Sequence, residues 1–354
     1  MFYSRLCLLL ALIFTATCVF AAAPKPKLPT VAIVITGGTI VEQNNPKTGA
    51  ATPVPLKKGF LNAVPCLAKE ANIEVTQFSN IDSSHMTPQM WLSLSKTVNA
   101  LLKKPSILGV VVVHGTDTMA QGAYFLDLTT HSQKPVVFTG AMHDASSAFP
   151  DGPENLCNAV LQASKPQPPH WGVTLTLNGY INSARDVFKQ HTDNVQAFSS
   201  GDKGYLGYIT GHHIYHYRDR LHRTYFAPPK TLLDVVLIKT YPGDQGKLID
   251  AAVKNGAKGI VVEGFGAGNV NADVYHAIVS ALKNKVVVVL TSQVPEGPVL
   301  PLYGDVGGGA MLKQAGVILA NDLSGDKARL FLMLALADVG NHPHQLKQLF
   351  AQAI

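Results

Sequence analysis

The sequence predicts an α/β protein built from two α/β domains. The larger N-terminal domain is expected to hold a mostly parallel sheet flanked by helices, and the C-terminal domain to be smaller. Apolar runs of strand length alternate along the chain with segments of helical periodicity. This alternation stops between residues 205 and 230 and then starts again. The length of 354 residues is sufficient for two domains.

In the N-terminal half, the predicted strands are runs rich in Val, Ile and Leu, and the predicted helices follow turn or capping residues. The strands are expected at 31–35, 73–78, 107–113, 135–138 and 173–177. Helices are expected within 57–70, from Thr87-Pro88 to about 103, up to about 128, and at 153–164. Strands and helices that alternate in this way indicate parallel pairing with helices on both faces of the sheet.

The interruption of the pattern marks the predicted boundary between the domains. Residues 208–215 (YITGHHIY) are typical of a β-hairpin, and a basic stretch follows that ends at Pro229. The alternation resumes with strands at 235–239, 259–262 and 286–290 and with helices at 246–255, 273–284 and from about 327. We therefore expect an N-terminal domain over 28–225, a linker over 226–233 and a C-terminal domain over 234–354.

Residues 1–23 have the composition of a secretory signal peptide. Arg5 is their one charged residue, fifteen largely apolar residues follow it, and three alanines come next. The apolar run is shorter than the ~20 residues that span a bilayer. Cleavage after Ala21 is expected, with Ala22 and Ala23 as alternatives. The mature protein is then periplasmic or secreted, without a stable membrane anchor.

Composition excludes several classes of protein. With 47% hydrophobic and 15% charged residues, the chain is not expected to be disordered. The net charge of +6 comes from scattered Lys and Arg, so no nucleic-acid partner is expected. Without residues 1–23, the remaining cysteines are Cys66 and Cys157. Two buried thiols are the favoured interpretation, and a disulfide is the alternative.

Three segments place reactive side chains after predicted strands, at the strand ends where ligands of α/β sheets bind. TGGT at 36–39 combines a hydroxyl with glycines whose N–H groups can approach a substrate. HGTDTM at 114–119 sets a hydroxyl beside the carboxylate of Asp117, which could bind an ammonium group. DSSHM at 82–86 offers hydroxyls and N–H groups for a substrate carboxylate. The alternative is that these segments are ordinary turns and helix caps.

In order and spacing, TGGTI, DSSHM and HGTDTM resemble the bacterial-type asparaginase/glutaminase family. Further similar segments are GAM at 140–142, DGPENL at 151–156, RDVFK at 185–189 and GAGN at 266–269. The resemblance runs from about Thr30 to the C-terminus. The signal peptide resembles that of the exported, periplasmic type, whereas the segment DSSHMTP at 82–88 is closer in sequence to the cytoplasmic type.

The resemblance implies hydrolysis of the side-chain amide of L-asparagine to L-aspartate and ammonia. It assigns Thr39 as the nucleophile, which forms an acyl-threonine, and Thr116, Asp117 and Lys189 as a second catalytic group. A desolvated lysine can serve as a base in such a group. No cofactor and no metal are implied.

For substrate binding, the resemblance implies that Ser83 binds the α-carboxylate and that Asp117 also binds the α-ammonium. Ser84 stands where exported members commonly have glutamine. Asn269 corresponds to an asparagine that reaches the active site of a neighbouring subunit, so the resemblance implies a homotetramer.

The chain departs from exported family members in two ways. No tyrosine lies between Tyr3 and Tyr124, so the loop tyrosine that assists the nucleophile is missing, and Thr52 falls near its place. The C-domain glutamate that contacts the substrate cannot be placed, since the stretch with Glu296 and Tyr303 is too different. Two alternatives therefore remain: a glutaminase-asparaginase that uses both amides comparably, and a catalytically weak exported amino-acid-binding protein.

Overall fold

The computed structural model of the chain describes residues 28–44, 51–53, 64–168, 171–220 and 223–353. The predicted signal peptide lies outside these residues, as does most of the helix predicted within 57–70. Among the described residues, no helix combines the length and the apolarity that a bilayer crossing requires.

The N-terminal half contains the predicted alternation of strands and helices. Its strands are β1 (Thr30–Ile35), β2 (Glu42–Asn44), β3 (Ala51–Pro53), β4 (Asn72–Gln77), β5 (Ile107–Val113), β6 (Val136–Thr139), β7 (Val173–Leu177), β8 (Tyr180–Ser183), β9 (Phe188–Lys189), β10 (Phe198–Ser199), β11 (Gly207–Thr210) and β12 (His213–His216). Its helices are α1 (Leu67–Glu70), α2 (Pro88–Leu102), α3 (Met119–Thr129) and α4 (Gly152–Ala163). Thr87 caps α2 as predicted, since its hydroxyl accepts a hydrogen bond from the N–H of Met90 at 3.2 Å.

Eight of these strands form one sheet in the order β12-β11-β8-β7-β6-β5-β1-β4. The strands from β4 to β7 in this order pair in parallel, whereas β8, β11 and β12 are antiparallel. The direction reverses at a two-residue turn, in which Asn178 and Gly179 have φ angles of 48° and 77°. Two successive positive φ angles are typical of the tight turn that joins hairpin strands. The sheet is thus mostly parallel, and its antiparallel edge includes the predicted 208–215 hairpin.

The C-terminal half forms a separate four-stranded parallel sheet in the order β13-β14-β15-β16. Its strands are β13 (Val235–Lys239), β14 (Gly259–Gly264), β15 (Val287–Ser292) and β16 (Ile318–Leu319). Its helices are α5 (Lys247–Lys254), α6 (Ala272–Lys283), α7 (Gly309–Ala315), α8 (Gly325–Val339) and α9 (Pro343–Gln352). The predicted fold class is confirmed, and α7, β16 and α9 are elements that the sequence analysis did not predict.

The helix α8 joins the cores of the two sheets. It is apolar on nearly all sides, which is typical of a helix that is covered all round, and Leu330, Phe331 and Leu334 are buried. The ring of Phe331 lies 5.2 Å from that of Phe226 and 4.7 Å from that of Phe350. One apolar cluster therefore continues from α3 of the N-terminal half through α8 to α9.

The expectation of two buried thiols is wrong, because Cys66 and Cys157 form a disulfide, with a Cα–Cα distance of 6.0 Å. Cys66 immediately precedes α1, Cys157 lies on α4, and the two helices pack against each other. The two cysteines are 91 residues apart in sequence. Their proximity depends on the packing of the finished fold, which sequence spacing does not reveal.

The disulfide is expected to stabilise the folded chain substantially. The double variant Cys66→Ser/Cys157→Ser should lose roughly 2–5 kcal/mol of unfolding free energy, because the unfolded chain regains the entropy of a long closed loop. Equilibrium urea unfolding measures this difference, and wild-type protein in excess reductant serves as the matched control. Equal midpoints for oxidised wild type and the double variant would contradict the expectation.

Candidate active site

Three turns meet at one edge of the large sheet. The strands β5, β1 and β4 are neighbours and run parallel, so the segments that follow them emerge at the same edge. These segments are 36–39 after β1, 78–86 after β4 and 114–118 after β5. All three polar motifs that the sequence analysis singled out therefore lie together.

Two glycines allow these turns to touch. Gly38 has a φ angle of 92°, and a Cβ on it would lie only 2.4 Å from the Cα of Gly115. Gly37 has a φ angle of 123°, and a Cβ there would lie 2.3 Å from the carbonyl oxygen of Ile81. No other residue type fits these positions without displacing the backbone. Because Thr39 and Thr116 directly follow the two touching glycines, both threonines lie at this contact.

Lys189 connects the turn after β5 with the separate two-stranded sheet of β9 and β10. Its Nζ donates a hydrogen bond to Oγ1 of Thr116 at 3.0 Å and forms an ion pair with Oδ1 of Asp117 at 2.7 Å. Lys189 lies on the short strand β9, where it pairs with Phe198. The Nζ of Lys189 thus lies between a hydroxyl and a carboxylate, an arrangement in which a proton can move between lysine and threonine.

The three side chains differ in their exposure to solvent. Thr116 is buried at 7% exposure, whereas the side chains of Lys189 and Asp117 are 21% and 59% exposed. Thr39 is partly buried. The carboxylate of Asp117 is therefore open to an incoming cation such as an ammonium group, while the Thr116 hydroxyl is shielded from bulk water.

The turn after β4 forms a single 3₁₀ turn over Ser83–His85. Its N-cap Asp82 accepts a hydrogen bond from the N–H of Ser84 at 2.8 Å. Hydrogen bonds from Ser84 lower the pKa of the Asp82 carboxyl, and the nearby charges of His85 and Lys189 add to this effect. Asp82 is thus a carboxylate at neutral pH, which keeps the turn in its capped geometry.

Ser83 and Ser84 differ in their surroundings. Ser83 is buried, and a Cβ on Gly115 would lie 2.8 Å from its Oγ. The hydroxyl of Thr118 donates to the carbonyl oxygen of Ser83 at 2.8 Å, which ties the turns after β4 and β5 together. Ser84 is exposed. Both serines belong to the cluster of turns, with Ser83 directly against Gly115.

His114 stabilises the turn after β5 through hydrogen bonds to Gly115 and Trp91. It is fully buried, and burial lowers its pKa to about 4, so the imidazole is neutral at pH 7. The indole N–H of Trp91 donates to its Nε2 at 3.4 Å, so the proton is assigned to Nδ1, which donates to the carbonyl oxygen of Gly115 at 2.8 Å. His114 fixes the backbone just before Thr116 and is a structural rather than an acid–base residue.

Asn269 lies apart from this cluster. It follows β14 in the C-terminal half, where its Oδ1 accepts a hydrogen bond from the N–H of Gly309 at 3.2 Å. Its backbone forms an isolated bridge with Phe265. Within the described part of the chain, these partners keep it on the C-terminal sheet, so the fold does not bring it to Thr39.

The structure places the residues at the two positions where the sequence departs from exported family members, namely Thr52 and the stretch with Glu296 and Tyr303. Thr52 lies on β3, which pairs with β2 in a two-stranded hairpin after the 36–39 turn. Glu296 accepts a hydrogen bond from the N–H of Asp202 at 3.1 Å and so connects the two halves of the chain. Tyr303 is half-exposed. Glu296 therefore serves as a contact between the halves rather than as part of the cluster of turns.

The sequence analysis missed three supporting residues, Thr118, His114 and Asp151. The carboxylate of Asp151 accepts hydrogen bonds from the N–H groups of Met142 and His143 at 2.9–3.1 Å, which fixes the loop after β6. The repeated polar residues within HGTDTM and DGPENL are a sequence signal for such turns. Among the described residues, no group of His, Cys, Asp and Glu could hold a metal ion.

Comparisons with known proteins identify similar sequences over most of the chain. The chain matches the family described as "Asparaginase, N-terminal" over residues 30–222 and the "Glutaminase/Asparaginase C-terminal domain" over residues 234–350. A protein named L-asparaginase 2 from Bacillus subtilis is 35% identical, and the match covers 93% of this chain and 88% of the relative. A protein named probable L-asparaginase periplasmic from Haemophilus influenzae is 36% identical, with 91% of this chain and 93% of the relative covered.

A solved structure is similar over nearly the whole fold. It is a probable cytoplasmic L-asparaginase from Campylobacter jejuni, which superimposes with a TM-score of 0.82 at 37% sequence identity. The superposition covers 92% of this chain and 99% of the Campylobacter chain. Both matched regions, the identity to these relatives over most of the chain and the common architecture lead to one conclusion: this chain belongs to the asparaginase/glutaminase family.

Proposed function

We propose that the chain hydrolyses the side-chain amide of L-asparagine to L-aspartate and ammonia. The observation that carries this proposal is the position of Lys189, which bonds to both Thr116 and Asp117 at distances of 3.0 and 2.7 Å. The turn that carries Thr39 packs against the same group through Gly38. The membership of the asparaginase family supports the choice of substrate.

In the first half-reaction, the hydroxyl oxygen of Thr39 attacks the side-chain amide carbon of asparagine. Its proton passes through the Thr116 hydroxyl to the Nζ of Lys189, which acts as the base. Backbone N–H groups of the 36–39 turn stabilise the negative oxygen that develops on the amide. The amide nitrogen then takes up the proton and leaves as ammonia, and the substrate acyl group remains as an ester on Thr39.

In the second half-reaction, a water molecule takes the place that the released ammonia has left beside the acyl-threonine. Lys189 and Thr116 remove a proton from the water as its oxygen attacks the ester carbon. The bond to Thr39 breaks, the threonine hydroxyl recovers a proton, and L-aspartate is released. One proton-transfer group therefore serves both half-reactions, which is consistent with the absence of tyrosine between Tyr3 and Tyr124.

The α-groups of the substrate find complementary partners in the same cluster. We assign the α-carboxylate to the Ser83 hydroxyl and the N–H groups of the turn after β4, with Ser84 at its exposed end. The α-ammonium is assigned to the carboxylate of Asp117, which is 59% exposed and so accessible to a ligand. Opposite charges at the two ends of the site would orient the side-chain amide toward Thr39.

A homotetramer with intersubunit active sites is part of the proposal, with Asn269 contributed by a neighbouring subunit. The support is an exposed apolar segment of the C-terminal half that includes Leu300, Leu302, Tyr303 and Val306. Apolar patches of this kind commonly mark protein–protein interfaces. The N–H of Leu300 donates to the carbonyl oxygen of Ala267 at 2.9 Å, so the segment adjoins the loop that ends at Asn269.

Export to the periplasm or the exterior is also proposed, after cleavage of residues 1–23. The Cys66–Cys157 disulfide supports it, because disulfides persist mainly in oxidising compartments. The division into residues 28–225, a linker at 226–233 and residues 234–354 is retained as a proposal. The two separate sheets and the matched regions support that division.

The proposal is tested by measuring ammonia release from L-asparagine and L-glutamine by the purified protein. Turnover of asparagine with a higher kcat/KM than that of glutamine supports the proposed activity. Comparable turnover of both amides would identify a glutaminase-asparaginase, since one methylene changes selectivity by only about 10–200-fold. Binding of asparagine without release of ammonia would contradict the proposal and favour an amino-acid-binding protein.

A further inference from the structure

A buried lysine of the C-terminal half reaches the segment that carries Lys189. Lys327 lies in the first turn of α8 and is 4% exposed. Its Nζ donates hydrogen bonds to the carbonyl oxygens of Arg185 at 2.5 Å and of Val187 at 2.6 Å. Val187 is two residues before Lys189, so this side chain binds the backbone that leads directly into the proposed catalytic lysine.

The same segment is fixed from a second direction. The Nε and Nη2 of Arg185 donate to the carbonyl oxygen of Ala353, at the end of α9, at 2.9 and 2.6 Å. The guanidinium also forms an ion pair with Asp322 at 2.5 Å. Every one of these partners belongs to the C-terminal half. The strand β9 itself is only two residues long, so its own ladder offers few hydrogen bonds to hold it in place.

We propose that Lys327 is a positioning residue, which sets the distance of Lys189 from Thr116 and Asp117 by clamping the backbone at residues 185–187. This inference rests on the proposed function, because it assumes that Lys189 takes part in the hydrolysis. It gives the C-terminal half a role in catalysis within the same chain, in addition to the proposed contribution of Asn269 to a neighbouring site.

Lys327 can affect catalysis because the carbonyl of Val187, to which it donates, lies only two residues before Lys189. Lys189 has to keep its Nζ within hydrogen-bond distance of two acceptors in the turn after β5, and a displacement of about 1 Å can reduce a rate by roughly 100-fold. Without Lys327, two buried carbonyl groups would lose their donor, and the segment would move to find new partners. Such movement alters the geometry of Lys189, including its ion pair with Asp117, but leaves the turn that carries Ser83 in place.

Burial has the largest effect on the pKa of Lys327, and charges of both signs lie nearby. Asp186 and Asp326 favour its ammonium form, whereas Arg185 and Arg220 disfavour it, and burial lowers its pKa to about 7. Both the ammonium and the neutral amine have at least two N–H donors. The clamp on the two carbonyls is therefore maintained in either form.

A second lysine offers a matched control. The Nζ of Lys134 also donates to two backbone carbonyl oxygens, those of Leu102 and Lys104, each at 2.8 Å. These carbonyls lie at the end of α2, just before β5 begins, which is the opposite end of the sheet from the cluster of turns. Lys134 is only partly buried, and removing it also takes the side-chain donor from two backbone carbonyls but leaves the segment of Lys189 alone.

The test compares Lys327→Met, Lys327→Gln, Lys327→Arg and Lys134→Met with wild type. For each purified protein, kcat and KM for asparagine and the melting temperature are measured. Lys327→Met is expected to lower kcat by roughly 30–100-fold with KM within about threefold, as for a displaced catalytic group. Lys327→Gln keeps amide donors, and it should show a smaller loss of kcat with the same unchanged KM. Lys327→Arg keeps N–H donors but is bulkier and permanently charged beside Arg185 and Arg220, so it should recover only part of the activity lost in Lys327→Met.

Two results would overturn the inference. One is a kcat within threefold of wild type in both Lys327→Met and Lys327→Gln. The other is an equal loss of kcat in Lys134→Met at a matched decrease in melting temperature, which would indicate a general effect of destabilisation. Failure of the proposed function is a distinct outcome, because wild type itself would then release no ammonia in the same assay.

Discussion

Replacing Thr39 with alanine is expected to reduce kcat for ammonia release from asparagine by roughly 10⁴-fold or more, the scale seen when an enzyme loses its nucleophile. The substitution removes the one oxygen that is proposed to attack the amide carbon. It leaves the Lys189–Thr116–Asp117 group and the contact of Gly38 with Gly115 in place. The affinity for asparagine should therefore change little, and a direct binding measurement on the variant checks this.

Thr39→Ser is the matched control for this prediction. Serine keeps the attacking hydroxyl and loses only the methyl group, so its kcat should stay within roughly 10–100-fold of wild type, since the nucleophile itself remains. Mass spectrometry of wild type quenched during turnover should detect the acyl group on the peptide that contains Thr39. Activity of Thr39→Ala close to that of Thr39→Ser would show that another group is the nucleophile.

The sequence predicted most of the fold because the strands of the two sheets carry strong local signals. The apolar runs of β1 and β5 are nearly fully buried, and such runs are readable without any tertiary information. The antiparallel edge also has a local signal, since Asn178-Gly179 is a preferred hairpin dipeptide. By contrast, α9 was not predicted. Its buried residues Leu346 and Phe350 are covered by α8, and this contact is not visible in the local sequence.

The sequence also predicted the three turns of the candidate site, because their motifs are local features of the sequence. Glycine pairs and hydroxyl residues directly after strands are local features, and parallel strands bring such features to one edge. The disulfide between Cys66 and Cys157 and the clamp from Lys327 depend on contacts between residues 91 and 140 or more positions apart. No spacing rule encodes such contacts, so physical reasoning from sequence did not reach them.

Replacing Lys189 with methionine is expected to lower kcat for asparagine by about 10²–10⁴-fold, the range attributed to general acid–base groups. Methionine has a similar length but cannot donate to Thr116 or pair with Asp117, which lie at 3.0 and 2.7 Å from Nζ. With no tyrosine between Tyr3 and Tyr124, the proposed mechanism gives both proton transfers to this lysine. Both formation and hydrolysis of the acyl-threonine should therefore slow down.

A surface lysine gives the control for charge alone. Lys104 forms an exposed ion pair with Glu74 at 3.7 Å, far along the sheet from the cluster of turns. Because exposed pairs contribute little, Lys104→Met should leave both kcat and stability nearly unchanged. Rapid-quench measurement of the acyl-enzyme in Lys189→Met separates the two half-reactions. If only hydrolysis of the ester slowed, a group other than Lys189 would have to activate Thr39, and the single-group mechanism would be replaced by one with two separate bases.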